Sequence, residues 1–138
     1  MSNPLASAPG RLALTTVLLV AASAAFISAN MVREKHTRAA IAKATTSGDP
    51  EPAPAIFRRY GCVGCHTIPR IPGADGQVGA PLTELSKRVY IAGVLENRPE
   101  NLIAWIVSPR RFSPQTAMPE SGISEQEARD LAAYLYAQ

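Results

Sequence analysis

From Leu12 to Val32 no position carries a charge: LALTTVLLVAASAAFISANMV. As a helix rising 1.5 Å per residue, this stretch spans roughly 30 Å, the depth of a bilayer core. It is rich in Ala, Ser and Thr, so it is only moderately hydrophobic. Two assignments fit. One is a signal anchor retained as a transmembrane helix. The other is a secretory signal peptide cleaved in the small-residue region between Ala22 and Ala29. The apolar run is longer than a signal-peptide core, and no small-x-small site precedes a polar start. Both points favour the anchor. A buried core helix is disfavoured, because the chain offers no partner helices for such an apolar rod. Residues 1–11 form a tail ahead of the span. Residues 33–44 (REKHTRAAIAKA) continue the helical pattern, with His36 at headgroup level or in water. Residues 45–54 (TTSGDPEPAP) carry prolines at 50, 52 and 54, which predicts an extended spacer.

Beyond residue 54 the period is that of short helices. Residues 54–62 (PAIFRRYGC) place Ile56, Phe57 and Tyr60 on one face. Residues 67–81 show no periodicity and predict a loop, and residues 82–89 predict a short helix. Pro99 opens a helix over 99–108 whose buried stripe is Leu102, Trp105 and Ile106, and Pro109 closes it. Ser124 and Glu127 have the spacing of a capping box. Ala128, Leu131, Ala132 and Leu135 follow at i, i+3, i+4 and i+7. No segment reads as a strand, so the predicted domain, residues 55–138, is all-α.

Composition narrows the possibilities. The chain has 138 residues and a formal charge of +3, enough for one domain and a tail. Twelve prolines, three Phe and one Trp argue against a large self-sufficient core. No Lys/Arg run of five exists, so nucleic-acid binding has no support. Both cysteines fall in one pentapeptide, which excludes a disulfide scaffold and a four-cysteine zinc site. Residues 55–138 hold nine Arg/Lys against eight Asp/Glu and are nearly neutral. A unit this small buries little surface by itself, so something else is expected at its centre.

That something is indicated by Cys62-Val63-Gly64-Cys65-His66. C-x-x-C-H is the attachment pattern for c-type haem. Two thiols three residues apart lie on one side of a helical turn and add to the two porphyrin vinyl groups. The next residue, His66, supplies the proximal nitrogen to iron. A thioredoxin-like reading requires a preceding strand, and a zinc reading requires a fourth ligand that this domain lacks. Met118 is the only methionine in residues 55–138 and His66 the only histidine. By elimination Met118 is the candidate second axial ligand, on the loop Thr116-Ala117-Met118-Pro119. A core-filling Met is the plain alternative. His/Met ligation raises the reduction potential and closes both axial positions.

With these motifs in hand, residues 55–138 resemble class I monohaem cytochromes c. The shared features are the helix ending in GCVGCH, the Gly/Pro loop, ENLIAWIVSP, the TAMP loop and the terminal SEQEARDLAAYLY. The resemblance implies several short helices around one covalent haem c. It also implies first and last helices that cross, with Phe57 and Tyr60 meeting Leu131, Tyr134 or Leu135. The family carries Gly-Pro after the haem motif, and the proline carbonyl accepts a hydrogen bond from the proximal imidazole. Here the segment is Gly79-Ala80-Pro81-Leu82, and the register favours the Ala80 carbonyl over that of Pro81. By similarity Arg88 is a candidate propionate donor. Trp105 either donates its indole N–H or simply packs, beside Ile106 and Pro119. Arg110 and Arg111 precede the ligand loop, with Arg111 a candidate haem contact and a solvated face the alternative.

The resemblance implies electron transfer in a respiratory or photosynthetic membrane chain, with a quinol-oxidising complex or terminal oxidase as partner. No small-molecule substrate is expected. A mainly structural haem subunit and a peroxidase-like enzyme are the competing classes; the second needs a distal acid/base that the domain does not offer. Arg58, Arg59, Arg110 and Arg111 are expected to oppose a patch of Glu120, Glu125, Glu127 and Asp130. Arg33, Lys35, Arg38 and Lys43 follow the span, so the charge rule alone places the domain in the cytoplasm. Haem attachment in this family is completed on the other side. The expected location is therefore the inner membrane, single-pass, with the haem domain in the periplasm.

Overall fold

The computed structural model describes residues 8–138. Most of the predicted tail, residues 1–7, lies outside the described residues. The first helix, α1, is Ala8–Thr46. Its polar positions are compatible with an apolar medium because they bond within the helix. Thr15 Oγ1 donates to the Leu12 carbonyl (2.9 Å), Thr16 to Ala13 (2.8 Å), Ser23 to Leu19 (2.8 Å) and Ser28 to Ala24 (2.8 Å). Leu14, Val17, Leu18, Leu19, Val20 and Phe26 are all exposed. By length and composition α1 is long and apolar enough to cross a membrane.

The compact unit comprises residues 37–138. It begins earlier than the predicted boundary at 54/55, because the proline-rich segment is packed rather than a free spacer. Thr46 is fully buried, and its carbonyl accepts from Arg129 Nη1 (3.1 Å). The Asp49 N–H donates to Asp130 Oδ1 (2.8 Å). Gly48 lies so close to the Arg129 carbonyl that any side chain there would collide with backbone.

Helix α2 covers Ala53–Arg59, with Pro54 in its first turn and Ala53, Ile56 and Phe57 buried. The one-turn α3 is Cys62–Cys65, and a 3₁₀ turn follows at Leu85–Lys87. Helix α4 is Pro99–Val107, α5 is Pro109–Phe112 and α6 is Glu125–Tyr136. The α6 capping box forms as predicted: Ser124 accepts from the Glu127 N–H, and Glu127 accepts from the Ser124 N–H. Phe57 and Tyr134 meet edge-to-face with centroids 5.7 Å apart, and Tyr60 donates to Glu127 Oε2 at 2.8 Å. α2 and α4 therefore both pack on α6, around a core that includes Phe57, Leu102, Leu131 and Leu135.

One small sheet departs from the all-helical expectation. Strands β1 (Tyr90–Ile91) and β2 (Leu95–Glu96) pair antiparallel, Tyr90 opposite Glu96 and Ile91 opposite Leu95. The turn between them places both Ala92 and Gly93 at positive φ. Ala is rare in that conformation, so the turn has no Asn-Gly or Asp-Gly signature to reveal it. The predicted helix over 82–89 shrinks to the 3₁₀ turn, preceded by Glu84 at φ +52°.

Two outcomes are expected. Leu131 is 1% exposed, and Leu131→Ala lowers stability by about 2–5 kcal/mol in urea unfolding followed by helical circular dichroism. Desolvation and the nearby Glu100 push the Tyr136 phenol from 10.0 up to about 12. Its folded value lies above its unfolded one, so its contribution is complete below pH 10 and lost as pH rises to about 12. Tyr136→Phe flattens that alkaline decline; an unchanged slope between pH 10 and 12 would count against this assignment.

Candidate haem site

Gly61, at φ +71°, turns the chain sharply from α2 into α3. The short helix then holds Cys62 and Cys65 at its two ends, three residues apart and on neighbouring positions of one turn. Both are free thiols and half-buried. Burial pushes the Cys62 thiol up. His66 leaves the helix in extended conformation (φ −115°, ψ 140°), while its N–H still donates to the Cys62 carbonyl at 2.9 Å.

The imidazole is set by one contact. His66 Nδ1 lies 2.7 Å from the Ala80 carbonyl oxygen. A carbonyl only accepts, so Nδ1 carries the proton and Nε2 keeps its lone pair for a metal. Gly79 presses against the ring: a Cβ there would overlap the imidazole atoms. The Gly79 N–H donates to the Cys65 carbonyl at 2.7 Å, and the Leu82 N–H to Thr67 at 2.8 Å. The 79–82 segment is thereby laced to the strand of chain that bears the thiols. Met118 comes from the loop between α5 and α6, where its N–H donates to Thr116 Oγ1 (3.2 Å).

Cys62, Cys65, His66 and Met118 all border one cavity, whose walls are mainly apolar: Phe57, Leu82, Leu85, Ile91, Leu102, Ile106, Leu131 and Leu135. Ala80, Arg88, Trp105 and Pro119 border it too. Pro81 is exposed; its carbonyl accepts from the Arg88 guanidinium, which also donates to Thr83 O at 3.1 Å. Arg111 is a correction. It lies outside this cavity and lines a second cleft of about 330 Å³ with Thr45, Glu100, Glu125 and Arg129. Its guanidinium sits over the Phe112 ring, 5.6 Å from the centroid, because the short α5 directs it to the α4–α6 side.

The expected opposition of basic and acidic patches does not form either. Arg59 pairs with Glu127, Arg129 pairs with Glu125 at 2.5 Å, and Asp130 is buried against Asp49 and Gln126. Charges of opposite sign alternate on this face. Sequence reasoning also missed Gly79, Leu85, Ile91 and Ala92 as cavity residues. Gly79 stands in the segment read for its carbonyl, but nothing in a sequence tells that an imidazole lies on its Cα.

The residues present fit a porphyrin better than a bare ion. Among the described residues no group of three or more His, Cys, Asp or Glu is placed to hold a metal. An apolar cavity with two thiols, one nitrogen lone pair and one thioether on its border suits a flat apolar ring carrying its own iron.

These features define a small helical domain built to enclose haem. The cytochrome c family model matches residues 50–137, and the chain belongs to that family. Two relatives are both cytochrome c oxidase subunit 2. That of Alkalihalophilus pseudofirmus is 38% identical over 82 residues, covering 58% of this chain and 23% of that protein. That of Bacillus sp. (strain PS3) is 31% identical over 85 residues, covering 59% of this chain and 24% of the relative. The chain thus matches about a quarter of the length of these relatives. No solved structure matches it. Membership implies covalently attached haem c with iron and a role in electron transfer, here on a chain whose α1 supports membrane anchoring.

Gly79→Ala is expected to force the 79–82 segment off His66. Covalent haem content and the low-spin spectrum of the purified chain should both fall sharply. Wild-type values for both would show that the ring has room to move.

Proposed function

We propose that Cys62 and Cys65 carry the haem through two thioethers, that His66 Nε2 and Met118 Sδ hold its iron, and that the domain relays single electrons to or within a terminal oxidase. The observation that carries this reading is the convergence of the two thiols, the oriented imidazole and the lone domain methionine on one apolar cavity. When bound, haem c supplies a one-electron ferric/ferrous couple.

The chain's own residues account for the rest. The thiols prevent loss of the cofactor. Ala80 holds the proton on Nδ1, so the imidazole is ready to ligate without a tautomer change. Met118, bordering the same cavity, would supply a thioether sulfur to the iron. Leu82, Leu85, Ile91 and Leu135 line the cavity with apolar surface that would keep water from a bound haem. Arg88, at the border, would offer its remaining N–H donors to a propionate. Two oxidase subunits among the relatives support the oxidase as partner.

In this reading α1 anchors the chain by a single pass, and the domain works on the periplasmic side, where cytochromes c receive their haem. Anchoring also raises the effective concentration at a membrane partner. Translocated domains of this size override the basic residues that follow the span.

Purified in mild detergent, the chain should be red and heavier than its polypeptide by one haem. Met118→Ala should abolish the weak far-red sulfur–iron band and open the iron to carbon monoxide, with haem still attached. Retention of that band would remove Met118 from the iron. Protease added to spheroplasts should digest the domain, and a shielded domain would overturn the periplasmic placement.

A further inference from the structure

Asn97 stands two residues before α4 and uses its backbone N–H and both polar atoms of its side chain. Its backbone N–H donates to Val89 O at 2.9 Å. Its Nδ2 donates to Leu85 O at 2.7 Å and to Arg88 O at 2.8 Å. Its Oδ1 accepts from the Tyr136 hydroxyl at 2.6 Å. Two carbonyls on one side and a hydroxyl on the other leave a single sensible orientation for the amide. Asn97 therefore ties the 3₁₀ turn and the residue after it to the last turn of α6.

Those carbonyls belong to the far end of the segment that holds the imidazole. At its near end, Gly79 bonds to Cys65 and the Ala80 carbonyl accepts from His66. In the middle, the Arg88 guanidinium folds back onto the Pro81 and Thr83 carbonyls. At the far end, Leu85 is 3% exposed in the cavity wall, and Asn97 holds the carbonyls on both sides of the turn. The segment from 79 to 88 is thus pinned at both ends, with Ala80 O as its business end. Just past Ala80 the Leu82 N–H donates to Thr67 O at 2.8 Å, so the near half of the segment is held by backbone bonds and the far half by Arg88 and Asn97.

We propose that Asn97, braced by Tyr136, is a positioning residue for the proximal imidazole: it keeps the 79–88 segment in the register that seats Ala80 O on His66 Nδ1, and so lowers the reduction potential of the bound haem. The inference rests on the proposed ligation of iron by His66. An N–H donated to a carbonyl makes the imidazole more basic at its other nitrogen, which favours the oxidised iron. Loosening that bond therefore raises the potential. The brace is durable, because the Tyr136 phenol stays protonated well into the alkaline range.

The test uses the full haem-loaded chain in mild detergent, as wild type, Asn97→Ala and Tyr136→Phe. Potentials are read against one-electron mediators, and exchange of the His66 Nδ1 proton is read by NMR in the reduced state. Asn97→Ala should raise the potential by a few-fold in the equilibrium constant, where tenfold corresponds to about 59 mV for one electron. It should also speed the proton's exchange. Tyr136→Phe should shift both in the same direction by less, since the two Nδ2 donors remain. A purely structural brace would lower the melting temperature and leave potential and exchange unchanged, and that result overturns the proposal. If Asn97→Ala takes up no haem, Tyr136→Phe decides by the same two readouts. A wild-type chain without histidine-ligated haem would overturn the underlying ligation instead, and is visible before any variant is made.

Discussion

The hydrogen bond between His66 and the Ala80 carbonyl is the constraint around which the domain is arranged. It selects the tautomer, fixes the ring plane and aims Nε2 away from the segment that holds it. An imidazole free to rotate would offer either nitrogen. The neighbouring Gly79 enforces the same geometry by shape, since any larger residue would displace the ring. The α3 turn bearing the thiols and the 79–82 segment that orients the imidazole are joined by the short bond from the Gly79 N–H to the Cys65 carbonyl.

The rest of the fold is a frame for that segment and for the cavity in front of it. α6 does most of the framing. Near its start, Glu127 caps the helix, accepts from Tyr60 and pairs with Arg59, which secures α2. The Tyr60 hydrogen bond is the main influence holding the Glu127 carboxyl below its usual range. Along its middle, Leu131 and Leu135 form cavity wall, while Tyr134 meets Phe57 and donates to Pro69 O at 2.8 Å. At its end, Tyr136 reaches Asn97. Its outer face, through Arg129 and Asp130, gathers in the end of α1 and the proline-rich segment. One twelve-residue helix therefore touches nearly every part of the compact unit, which suits a domain too small to close a core without its cofactor.

Much of this was legible beforehand because the signals are local. The apolar run of α1, Pro99 and Pro109 bounding α4, and the Ser124–Glu127 box each act within one or two turns of helix. The missed features depend on distant partners. The hairpin at 90–96 turns on Ala92 in a conformation that Ala seldom adopts. The 45–54 segment has the composition of a spacer, yet a buried Thr46 and bonds to residues some eighty positions away hold it down. Arg111 stands seven residues before Met118, close in sequence to the ligand loop, but α5 directs it into another cleft.

By itself the sequence determined the chemistry that this chain can carry: C-x-x-C-H, one further methionine, and an uncharged rod ahead of them. Those are matters of residue type and short spacing, and they survive without knowledge of the fold. Only the tertiary structure decided which carbonyl serves His66, that Gly79 must lack a side chain, and that Asn97 and Tyr136 stand behind the segment between them. Such relations join atoms far apart along the chain, at distances of a single hydrogen bond, and no periodicity records them.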